Sequence, residues 1–92
     1  ESEECLAFRD ISPKSPVHVL VIPKRHFGSL EEVPDASVVG AMSMLAKAVA
    51  RAEGIAGQGY RCVINTGSDG GQPVGHIHMH VLGGRAHSWP PG

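Results

Sequence analysis

At 92 residues the chain has room for one hydrophobic core, so a single domain over residues 1–92 is expected. Its 41% apolar content is that of an ordinary globular protein, and a formal net charge of −1 offers no basic footprint for nucleic acid or an anionic membrane surface. The longest apolar run, Val19 to Ile22, is far too short to span a bilayer, and no signal peptide is visible.

The chain begins at Glu1 rather than Met, so its start is expected to lie upstream, where a targeting segment could also lie; a cytoplasmic location is expected, with an organelle left open. Glu1 to Glu4 is acidic and expected to fray. Cys5 to Phe8 can form a short strand. Asp10 to Pro16 is turn chemistry, two prolines and two serines around Lys14. Val17 to Ile22 is a strand rich in β-branched residues that carries His18, and Pro23 closes it because proline cannot donate to a ladder. Lys24-Arg25-His26 is a small cationic knot, equally compatible with a solvated loop.

Pro34-Asp35 leads into a helix that Asp35 or Ser37 can cap. Val38, Val39, Met42, Leu45, Ala46, Val49 and Ile55 recur close to helical spacing, with Lys47 and Arg51 on the other side. Met42 and Met44 are expected to fill the core. Gly54 and Gly57 to Gly59 end the helix. Tyr60 to Asn65 is the next strand, with Tyr60, Cys62 and Ile64 on one face and Arg61, Val63 and Asn65 on the other. The two cysteines, Cys5 and Cys62, form no CxxC pair and are expected as buried thiols. Thr66 to Pro73 is a glycine-rich loop. The order strand, strand, helix, strand, strand predicts an α+β domain with a mainly antiparallel sheet and one long helix.

The last strand, His76-Ile77-His78-Met79-His80-Val81-Leu82, holds three of the six histidines at alternate positions. Strict alternation predicts a half-buried strand with His76, His78 and His80 on one face and Ile77, Met79 and Val81 on the other. The bland alternative is the wet face of an amphipathic strand. A metal site is disfavoured: His76 and His80 are about 13 Å apart along a strand, and no Asp or Glu is expected near them to serve as a second shell. Two adjacent histidines with the remote His18 could still reach one ion. A phosphate suits spread donors better. Glycines in the 67–71 loop allow backbone N–H groups to approach an anion, and Asn65 and Gln72 add amide donors. A central neutral imidazole can then attack phosphorus. Ser68 lies in no nucleophile elbow and is discounted.

These residues resemble the His-x-His-x-His-x-x signature of the histidine triad superfamily. The segments Cys5 to Pro13, Pro16 to Lys24 and Asn65 to Gly92 resemble its nucleotide-binding Hint branch, with Gly83-Gly84-Arg85 and Trp89-Pro90-Pro91-Gly92 typical of that branch. The resemblance implies a purine nucleoside phosphoramidate hydrolase acting on AMP and GMP conjugates, without a cofactor or metal. It assigns His78 as the nucleophile that becomes a nucleotidyl-histidine. It also implies that His80 contacts the α-phosphate, that His76 orients His78 through its backbone carbonyl, and that His18 is the remote fourth histidine. Asp10 would hold the ribose hydroxyls, Phe8, Ile11 and Leu20 the base, and Asn65, Gly71 and Gln72 the phosphate and ribose. It further implies a homodimer in which the helix and an edge strand pair to give one continuous sheet, with Trp89 reaching the partner's site.

The chain departs from that pattern in lacking the opening strand and helix, in Pro73 where a serine is common, and in Gly75 where an aromatic is common. Pro73 offers neither hydroxyl nor N–H. Two alternatives stay open: a non-catalytic nucleotide-binding scaffold, and a metal-binding regulator.

Overall fold

The computed structural model describes residues 1–92. Strand β1 (Cys5–Arg9) and strand β2 (Val17–Pro23) form a hairpin, and a 3-10 turn at Leu30–Glu32 leads to helix α1 (Ala36–Ala52). Strands β3 (Arg61–Ile64) and β4 (Met79–Gly83) complete an antiparallel sheet in the order β1-β2-β4-β3. The expected α+β architecture is therefore present, with β2 and β4, the two histidine-bearing strands, at its centre. No helix is long and apolar enough to cross a membrane.

Alternation divides the sheet into two faces. Cross-strand partners share a face, so Val19 opposite Val81 and Val21 opposite Met79 form one apolar layer. Cys5, Val19, Val21, Met79 and Val81 are buried there with Met42, Leu45, Ala46 and Ala50 of α1. Each fully buried aliphatic side chain contributes about 1.5–3 kcal/mol. The opposite face has no helix over it and carries His18, Leu20, His80, Leu82, Arg61 and Val63.

Helix α1 is set by its ends. Asp35, in extended conformation, accepts from the Ser37 amide at 2.9 Å, so Asp35 and not Ser37 is the cap. At the other end Gly54 takes φ +75°, and its amide and that of Ile55 return to the carbonyls of Arg51 and Ala50. This double return is a Schellman closure, and it drops Ile55 into the core.

Two expectations about burial fail. Met42 is fully buried, but Met44 is 62% exposed. Residues two apart on a helix diverge, so both could not face the sheet. Cys5 is buried, but Cys62 is exposed. Cys62 faces the helix side opposite Val81, yet β3 is the edge strand, and α1 packs chiefly on β2 and β1.

Candidate active site

The histidine segment is strand only from Met79 onward. His76 to His78 lead into the sheet outside the strand, with His76 in a bend, tied to the loop after β2 by the Ile77 amide on the Phe27 carbonyl at 2.8 Å. The alternation still holds: Ile77, Met79 and Val81 are buried in the core. The rings of His78 and His80 stand edge to face with centroids 5.1 Å apart, and His18 lies 5.1 Å from His80.

His76 behaves differently from the expected three-ring row. Its ring stacks on His26 at 4.9 Å, with Nδ1 of each ring 2.8 Å apart, and its Nε2 lies 3.1 Å from the Pro23 carbonyl. The carbonyl only accepts, so Nε2–H donates and Nδ1 is left to accept from His26. The cationic knot thus supplies a partner for His76 through His26. Lys24 instead pairs with Glu1, and Arg25 lies over the Phe27 ring.

Bond partners also fix the other tautomers. His78 Nδ1 lies 2.8 Å from the His76 carbonyl, so it carries the proton and leaves the Nε2 lone pair free. The Lys14 amide donates to His18 Nδ1 at 3.0 Å. His18 therefore bears its proton on Nε2, which lies 2.8 Å from His80 Nδ1. His80 in turn accepts at Nδ1 and keeps its proton on Nε2. Burial, followed by the neighbouring His78 and His18, holds the His80 pKa below its ordinary value and favours this neutral form. The Ser12 amide, 2.8 Å from Asp10 Oδ1, holds the Asp10 pKa below its ordinary value, with His18 and Lys14 adding to the effect.

The Asp10 carboxylate is 3.6 Å from His18 Nε2. This corrects the expectation that no acidic group stands near the histidines. Asp10 follows β1 and its own amide donates to the His18 carbonyl, a sequence-distant contact made by the β1–β2 hairpin. Asp10, His18 and His80 place possible ligand atoms within 4.8 Å of one another. The same nitrogens already bond to each other and to the Lys14 amide, so an ion here has to displace the His18–His80 bond.

The 66–73 loop is also organised by its own side chains. Asn65 Nδ2 donates to the Gly70 carbonyl at 2.7 Å. Gln72 accepts from the Gly67 amide and donates to the carbonyls of Gly28 and Val74. The Gly71 and Gln72 amides are engaged by the carbonyls of Ser68 and Gly67, and Gly71 takes φ +74°. These groups, expected as free donors, here shape the loop.

A cleft of about 730 Å³ opens on the bare face of the sheet. Asp10, His18, His80, Asn65 and Pro73 line it. Phe8 and Leu20 stand opposite one another on the same face. Phe8 and Ile11 are exposed and Leu20 is half-buried, while Trp89 is 81% exposed. Four further residues, Lys14, Arg61, Arg85 and His87, line the cleft without having been expected as site residues. For Arg61 a sequence signal existed, because it alternates with Val63 and Asn65.

Comparison with known proteins agrees with this architecture. The HIT domain family matches residues 1–87. An uncharacterized HIT-like protein of Synechococcus elongatus is 50% identical, with all of this chain and 82% of that protein covered. A HIT family hydrolase of Legionella pneumophila superposes with TM-score 0.95 at 49% identity, covering 100% of this chain and 84% of the other. A histidine triad protein of Clostridium difficile gives TM-score 0.92 at 39% identity, covering 96% and 78%.

Proposed function

The chain belongs to the HIT domain family, and from that premise we propose that it is a purine nucleoside phosphoramidate hydrolase of the adenosine 5′-monophosphoramidase type. The observation that carries this reading is the His78 tautomer: Nδ1–H is held by the His76 carbonyl, and the Nε2 lone pair is free beside a neutral His80. His78 Nε2 attacks the α-phosphorus, the P–N bond breaks, and the amine leaves with a proton taken from solvent. Water then attacks the nucleotidyl-histidine, releases the nucleoside monophosphate and restores His78. His80 offers its Nε2–H to a phosphate oxygen, His18 fixes that tautomer, and His76 orients His78.

In this reading Asp10 accepts from the ribose hydroxyls, and Phe8, Ile11 and Leu20 hold the base. Asn65, Gly71 and Gln72 hold the loop that borders the phosphate. No cofactor or metal takes part. The protein acts as a homodimer, a reading supported by the exposed Met44 on α1 and the open edge of β3, with Trp89 of one protomer directed to its partner's site. Turnover of adenosine and guanosine 5′-phosphoramidates by wild type, lost in His78→Ala, is the expected result; undiminished turnover in His78→Ala contradicts it.

A second reading, a nucleotide-binding scaffold without turnover, is favoured by one observation: Pro73 lines the cleft and supplies no donor. It predicts AMP binding with no hydrolysis of any phosphoramidate.

A further inference from the structure

Three cations line the cleft. The ion pairs of the chain are Arg9–Glu53, Lys24–Glu1 and His18–Asp10, so Arg61 and Arg85 are in no ion pair, while Lys14 stands near enough to Asp10 to help lower its pKa. Their hydrogen bonds go to neutral oxygens. Arg61 donates to the Ser88 carbonyl at 2.8 Å, Arg85 to the carbonyls of Ala86 and Lys14, and Lys14 Nζ to Ser12. Asp10 is the only acidic side chain in the lining. His87, also in the lining, has a solvent-shielded Nε2 with no partner.

The strand register says where this charge stands. Val63 is opposite His80, and Arg61 is opposite Leu82, one pair further along β4. That is about 7 Å beyond His80 in the direction leading away from His78. Asp10 lies on the β1 side of the histidines and Arg61 on the β3 side. A nucleoside held over β1 leaves the β3 flank open. In-line attack by His78 expels the leaving group on the side of the phosphorus opposite His78 Nε2.

Resting on the hydrolase reading, we propose that Arg61 and Arg85 form an anion subsite for the leaving group, and that the favoured substrates are nucleoside phosphoramidates whose amine carries a carboxylate. In an α-amino acid conjugate that carboxylate stands two bonds beyond the departing nitrogen. The planar guanidinium fork matches a carboxylate, which gains charge-assisted hydrogen bonds there in place of water.

The test compares adenosine 5′-phosphoramidates of glycine and of glycinamide, which differ in one charge. In wild type, kcat/KM for the glycine conjugate is expected to exceed that for the glycinamide conjugate by about fivefold, a size typical of a partly exposed charge pair. The ratio should shrink with added salt, and fall toward one in Arg61→Gln and separately in Arg85→Gln. A wild-type ratio of one or less, or a ratio unchanged in both variants, overturns the subsite. Faster cleavage of a dinucleoside polyphosphate than of the glycine conjugate overturns the carboxylate assignment. If no phosphoramidate is turned over, the hydrolase reading fails on its own, and binding of the two conjugates to His78→Ala decides the subsite: tighter binding of the glycine conjugate supports it, and equal binding overturns it.

Discussion

Three histidines two residues apart do three different things. His78 donates to the backbone two residues upstream and keeps a lone pair. His80 accepts a hydrogen bond from His18 across the β2–β4 pair. His76 turns to His26, fifty positions away in sequence. Alternation made the pairing of His78 with His80 legible, because neighbours at i and i+2 on an extended chain share a face. It could not reveal His26 or Asp10 as partners, since hairpin and loop closure bring them in. His78→Ala is expected to lower phosphoramidase turnover by about three orders of magnitude or more, a loss typical of a removed nucleophile. His80 makes a prediction about pH. Its folded pKa lies below the ordinary 6.5, so an NMR titration of its ring should show a midpoint under that value. The sign for stability follows: as pH falls below 6.5 the unfolded chain takes up this proton first, so His80 destabilises the fold on acidification and has no effect well above 6.5. A midpoint at or above 6.5 contradicts the buried, neutral assignment.

At the scale of elements, helix α1 was legible at both ends because capping is local chemistry: Asp35 with Ser37 at one, Gly54 with Ile55 at the other. The burial of individual residues was less so. Met42 and Met44 look alike in sequence but lie on different sides of α1, and Cys62 depends on how far the helix extends over the sheet. Met42→Ala is expected to cost about 2–5 kcal/mol by chemical denaturation, the range for a truncated core side chain. The 66–73 loop has its own constraint at Gly70, where an added Cβ stands 2.2 Å from the Thr66 carbonyl oxygen. Backbone cannot give way as a side chain can, so Gly70→Ala is expected to destabilise by about 1–3 kcal/mol and to release the Asn65 contact. Nucleotide affinity should fall with it, while unchanged affinity and stability show that the loop does not border the ligand.

The whole molecule is a sheet with one face covered by a helix and the other left open over the histidines. That asymmetry was legible from the two alternating strands and the single amphipathic helix. The charge lining the open face was not, because Lys14, Arg61 and the Arg85–His87 segment come from three separate stretches that only the sheet order brings together. The open edge of β3 and the exposed Met44 bear on assembly. Sedimentation is expected to give a dimer for the wild-type chain and a monomer for Met44→Asp, whereas a wild-type monomer overturns the dimer proposal. The central claim is chemical, and intact-protein mass spectrometry after rapid acid quench tests it most directly. With adenosine 5′-phosphoramidate, wild type should gain the mass of one adenylyl group and His78→Ala should gain none; active wild type that never carries the adduct, or an adduct that persists in His78→Ala, would contradict His78 as the nucleophile.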